Sequence, residues 1–174
     1  MLVDDRARPT FRERLGHALA GAAEADFAVA RIRLAAIDLT DRETARVRRC
    51  RVLVGRLDAE ALVRTGDQAP GGGAPAALRA FLDSGRLEVR AAGLEVWTPD
   101  FSILRGLRDA PHDALVVVGA HYFARPFTNG GPAFTCMLTG REAADRATRR
   151  FEELWRKGYD VADIVREALA RLGR

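Results

Sequence analysis

Apolar residues near the start of the chain fall at helical spacing. Phe11, Leu15, Leu19 and Ala22 share one face, and Thr10 with Glu13 supplies a capping box ahead of them. Phe27, Val29 and Ile32 suggest a first strand. A second helix is expected from about Thr40 to Arg49, capped by Thr40 or Asp41. The run Val52-Leu53-Val54, closed by Gly55, lacks polar alternation and reads as a strand buried on both faces. A helix over Ala76 to Ser84 stops at Gly85, and Leu87-Glu88-Val89 and Leu94-Glu95-Val96 then alternate as strands do, with Gly93 between them. Leu115 to Val118 predicts a central strand and Phe134 to Leu138 another. Thr139 and Glu142 form a second capping box, opening a helix through Trp155. Asp160 caps a last helix that carries Val161, Ile164, Val165, Leu169 and Leu172.

Strands alternating with helices predict an α/β fold, a mixed central sheet with helices on both faces. The 174 residues suit one domain, 1–174, with a core of ordinary size. The one low-complexity stretch, Gln68 to Pro75, reads as a surface loop.

Composition narrows the setting. Apolar residues make up 48% and charged residues 30%, which excludes disorder as the default. Two cysteines are too few for a disulfide framework, and Cys136 sits in an apolar run where it reads as a small buried hydrophobe. No Cys/His cluster has zinc-site spacing, so neither metal nor cofactor is expected. The charged start, MLVDDRARPT, is unlike a signal peptide, and no apolar run approaches the roughly 20 residues of a membrane span. A cytoplasmic location and no membrane partner are the expectation.

The net charge is +4, and all but one of the 28 basic residues are arginine. Codon usage that writes Arg and Ala freely accounts for this. So does binding of phosphate, which arginine contacts in bidentate fashion.

The ordered set Arg51-Val52-Leu53-Val54-Gly55, Leu87-Glu88-Val89-Arg90, Val116-Val117-Val118-Gly119-Ala120, a loop with Asn129, and Phe151-Glu152-Glu153-Leu154-Trp155 resembles a single phospholipase D-like domain. The resemblance covers about residues 10 to 158, with a further helix over about 160 to 172. It implies chemistry based on His-x-Lys: a histidine attacks phosphorus, a lysine neutralises phosphate charge, and a histidine from a second motif protonates the leaving group. It also implies a homodimer, since single-copy relatives pair through the active-site side.

The motif itself is absent. His17, His112 and His121 are followed two positions on by Leu19, Ala114 and Phe123. The resemblance places Pro99-Asp100-Phe101 where His-x-Lys would stand. It places Gly119-Ala120-His121-Tyr122-Phe123 at the family's Gly-Ser-x-x-Asn turn, so the serine hydroxyl is lost. No catalytic residue is assigned.

Four groups of residues stand out. His121, Arg125 and Asn129, in loops after a central strand, suggest a phosphate or nucleotide pocket. Ordinary turn chemistry at Asn129-Gly130 is the other reading. Arg42, Arg46 and Arg49 would share a face of the second helix and track a nucleic-acid backbone. The alternative is a solvated face partly neutralised by Asp41 and Glu43. Few aromatics accompany that run, which argues against a platform for stacked bases. Trp155 reads as core, whereas Trp97 to Phe101 would fill a former cleft or form a dimer surface. Asp38, Asp41, Asp58 and Glu60 read as caps and surface charge.

Three functions follow. The first is a nucleic-acid or phosphate-ligand binding module without the family chemistry, in a larger bacterial assembly by what the resemblance implies. The second is a protein-interaction scaffold with a protein partner and no phosphate ligand. The third is a phosphodiesterase or nuclease with a rearranged site using His112 or His121.

Overall fold

The computed structural model describes residues 11–32, 34, 44–57, 74–93, 100–109, 114–119 and 136–172. Its elements are α1 (Phe11–Gly21), β1 (Glu24–Val29), β2 (Arg49–Val54), α2 (Ala74–Asp83), β3 (Leu87–Ala91), β4 (Phe101–Arg105), β5 (Ala114–Val118), β6 (Cys136–Thr139), α3 (Arg141–Lys157), β7 (Tyr159–Asp160) and α4 (Ala162–Leu172). All the described strands join one sheet in the order β6-β5-β4-β1-β2-β3-β7. β1, β2 and β3 run parallel. β4 is antiparallel to β1, the β4-β5-β6 run is antiparallel throughout, and β7 closes the far edge against β3.

Both faces of the sheet are covered, which is why its central strands carry unbroken apolar runs. On one face, Leu15 and Leu19 of α1, Leu78, Phe81 and Leu82 of α2, and Val165, Ala168 and Leu169 of α4 pack against Phe27, Val29, Val52, Val54, Val89 and Val117. On the other, α3, alone among the described helices, lays Ala144, Phe151, Leu154 and Trp155 on Ala28, Leu53, Phe101, Ile103 and Val116. Phe151 meets Phe101 edge to face, and Trp155 stacks on Phe151 with centroids 5.5 Å apart. Trp155 is core, as its spacing predicts.

The structure corrects several expectations. The helix predicted to reach Arg49 does not: Thr44 is its last helical residue, Ala45 to Arg48 form a bend, and Arg49 opens β2. The buried side chains Val47 and Cys50 draw the chain down into the sheet there. Arg46 and Arg49 therefore do not share a helix face, and Arg42 lies outside the described residues. The capping box at Thr139 and Glu142 is not formed either. Thr139 ends β6, Gly140 takes the N-cap with no side-chain bond, and Glu142 pairs with Arg146 instead. Asp160 does cap, its Oδ1 accepting the Ala162 N–H at 2.7 Å.

Two strands escape the sequence pattern. β4 is buried at Phe101, Ser102, Ile103 and Leu104, so it shows no alternation. β7 has only two residues. The Leu94–Val96 strand, the Thr10 cap, Trp97 and the four acids fall outside the described residues.

Candidate nucleic-acid interface

The strands of the sheet end along two opposite edges. One is formed by the C-terminal ends of β1, β2, β3 and β5, where ligands commonly lie in α/β folds. Asp100, at the start of β4, closes this edge. Its Oδ1 accepts the Ala30 N–H at 2.7 Å, and its carbonyl accepts the Gly119 N–H at 2.9 Å, so one residue joins the ends of β1 and β5. This is the position the resemblance assigns to His-x-Lys. Arg31 and Arg56 stand exposed nearby, the Arg56 N–H bonded to the Ala30 carbonyl. His121, Arg125 and Asn129 lie outside the described residues.

Beneath α3 lies a buried charge network. Asp26, 3% exposed, accepts Arg51 Nε and Nη2 at 2.7 and 2.9 Å and Arg105 Nη1 at 2.5 Å. Arg51 also reaches Glu152 at 2.7 Å, and Arg105 donates to Thr148 Oγ1 at 2.9 Å. The Arg51 guanidinium lies 4.7 Å from the Phe151 ring centre, a cation–π contact. Burial alone would lower the Arg51 pKa, but the bonds and charges of Asp26 and Glu152 outweigh it and raise it. Two guanidiniums face two carboxylates here, so the network is neutral and satisfied. It locks α3 to the sheet and leaves no charge to offer a ligand. Burial, and then the charge of Asp26, push the neighbouring Cys50 thiol up, so it is no nucleophile. Cys136 is half-buried on the edge strand β6.

The opposite edge, at the N-terminal ends of β1 and β2, is different. Three segments meet there: the end of α1, the Thr44–Arg48 bend, and the turn after β4. Backbone bonds hold them together, Ala23 N–H to the Arg105 carbonyl at 2.9 Å and Arg48 N–H to the Ala23 carbonyl at 2.8 Å. Gly106 is required in the turn. Its φ is +62°, and a Cβ there would fall 2.8 Å from the Ala23 Cβ. Arg86 fixes the bend from below. It lies 4.9 Å over the Phe81 ring and donates to the carbonyls of Thr44 and Val47, on either side of Arg46.

Between these segments is a cleft of about 550 Å³. Ala18, Ala20, Gly21, Ala45 and Leu107 line it with apolar surface, and His17, Arg46, Arg108 and Asp109 supply its polar groups. Arg46, Arg48 and Arg108 are exposed and have no ion-pair partner among the described residues. Arg49, by contrast, pairs across strands with Glu88 at 3.1 Å. Of the described arginines singled out from the sequence, only Arg46 lines this cleft. His17 and Arg108 escape sequence reasoning because they come from segments about 90 residues apart in a chain whose topology alone brings them together. The one usable sequence signal is Gly106 after an apolar stretch, a turn mark followed by Leu-Arg-Asp. No group of three potential metal ligands occurs among the described residues, and no described helix is long and apolar enough to cross a membrane.

No protein-family model and no curated protein matches the chain. Solved structures do. The phospholipase D family member Nuc from Salmonella typhimurium aligns with a TM-score of 0.56 at 14% identity, over 90% of this chain and 93% of that one. TrmBL2, an archaeal chromatin protein whose structure shows a novel mode of DNA binding, aligns with a TM-score of 0.54 at 16% identity over 92% of this chain. The chain spans 52%, about half, of that protein's length. At these identities the likeness is one of fold: an α/β domain of phospholipase D-like type, with a mixed seven-stranded sheet between helices.

Proposed function

We propose that this domain binds nucleic acid through the N-terminal edge of β1 and β2, without the phosphohistidine chemistry of the phospholipase D family. One observation carries the reading. Arg46, Arg48 and Arg108 gather at that edge with no carboxylate partner among the described residues, whereas Arg51 and Arg105 are consumed by the core. Guanidiniums without an ion-pair partner among the described residues suit a row of phosphates. The absence of His-x-Lys speaks against the family's covalent step. The DNA-binding chromatin protein supports the reading as a fold that accommodates such a role.

Fluorescence anisotropy with short labelled DNA and RNA, without metal, tests it. Three phosphate contacts predict a loss of affinity of about 40-fold between roughly 50 and 200 mM salt. Absence of binding at either salt would remove the proposal and favour a protein scaffold.

A further inference from the structure

The cleft at the basic edge has a feature that backbone tracking does not need, an apolar floor. Flat tracking of a duplex calls for outward cations only. Here the cations stand beside a concave volume of about 550 Å³, within the range of roughly 300 to 1,000 Å³ typical of small-ligand pockets. Its surface is aliphatic, from residues such as Ala20, Ala45 and Leu107.

The charges around it are also informative. Arg46, Arg108 and Asp109 line the same cleft, yet none is ion-paired to another among the described residues. An unneutralised set of two guanidiniums and one carboxylate complements a ligand that is itself anionic at one end and a hydrogen-bond donor at the other. A purely anionic ligand such as inorganic phosphate would meet repulsion from Asp109. A nucleotide matches on all counts: its phosphate suits the arginines, its base covers aliphatic floor, and base N–H groups suit a carboxylate. Guanine presents two adjacent N–H donors and fits a carboxylate best.

Resting on the nucleic-acid reading above, we infer that this cleft receives a single nucleotide lifted out of the base stack, guanine by preference. Arg46 and Arg108 take its phosphate and Asp109 takes its base. The base is sheltered on aliphatic side chains, so no aromatic platform is required. The domain would then favour single strands or unpaired ends over continuous duplex.

The test compares a labelled guanine-containing single strand with its duplex, and titrates guanosine monophosphate, adenosine monophosphate and inorganic phosphate as competitors. Direct calorimetry with guanosine monophosphate accompanies it. The Ala20→Leu variant fills the floor from a helical position and leaves both arginines in the sequence. We expect the single strand to bind about tenfold more tightly than the duplex, equivalent to about 1.4 kcal/mol. Guanosine monophosphate should compete better than the adenosine form, and inorganic phosphate should not compete. Ala20→Leu should lose nucleotide binding while keeping duplex affinity. Asp109→Asn should narrow the guanine preference while retaining binding. Equal affinity for duplex and single strand, with no competition by nucleotide and no effect of Ala20→Leu, would overturn the pocket and leave the backbone-binding proposal standing. Calorimetric nucleotide binding without any affinity for polynucleotide would overturn the nucleic-acid reading and, with it, a nucleotide drawn from a stacked strand.

Discussion

Asp26 is a charged residue inside a strand otherwise made of Ala25, Phe27, Ala28 and Val29. Its burial is tolerable because two arginines answer it, one 25 and one 79 residues away in sequence. Removing one member of a buried ion set strands the others, at about 3 to 5 kcal/mol. Asp26→Ala should therefore lower stability in urea by about 3 kcal/mol or more, since Arg51 keeps only Glu152 and Arg105 keeps Thr148. Ser102 is the opposite case. Its hydroxyl is fully buried and finds no partner, so Ser102→Ala should be neutral or stabilising by about 1 kcal/mol in the same measurement. Cys50 links pH to stability. Its folded-state pKa is raised, so the native state retains a proton that the unfolded state releases above the ordinary thiol value of about 8.5. Its contribution is intact below that pH and declines as pH rises above it. Cys50→Ala should flatten that alkaline decline, and the wild-type Cys50 should resist thiol reagents until unfolding. None of these residues announces its role in sequence, because each depends on partners that only the sheet register supplies.

The elements most legible in the sequence are those with unbroken apolar runs or strong amphipathic spacing. Val52 to Val54 and Leu115 to Val118 are strands as expected, and Phe151, Leu154 and Trp155 mark the face that α3 buries. Phe151→Ala should cost about 3 to 5 kcal/mol, since it removes a ring that touches Phe101, Trp155 and the Arg51 guanidinium. The arginine run misleads because Arg42, Arg46 and Arg49 have helical spacing while Val47 and Cys50, between and after them, are pulled into the core. Tertiary burial overrides the local pattern there. The turn after β4 is the element on which the basic edge depends. Gly106→Ala should destabilise by about 1 kcal/mol or more through its left-handed backbone and its close approach to Ala23, and should weaken nucleic-acid binding by displacing Arg108. Chemical denaturation and anisotropy on the same variant would separate the two effects.

Across the whole molecule, the fold is phospholipase D-like, a mixed sheet between helices. Asp100 ties together the ends of β1 and β5, and the cleft arginines, unpaired among the described residues, collect at the far end of β1, roughly 20 Å away at about 3.3 Å per residue. The fold class was legible from the alternation of elements. The location of the basic edge was not, because the cleft draws on three separated segments and only one of its arginines lay in a run that stood out. The direct test is the slope of log affinity against log salt for a short duplex, measured on wild type, on Arg46→Ala/Arg108→Ala, and on Arg149→Ala/Lys157→Ala of α3, on the other face of the sheet. Each lost phosphate contact lowers the slope by about 0.9. A fall of nearly 2 is expected for the first pair and none for the second. An unchanged slope for Arg46→Ala/Arg108→Ala, or a fall confined to the α3 pair, would contradict it.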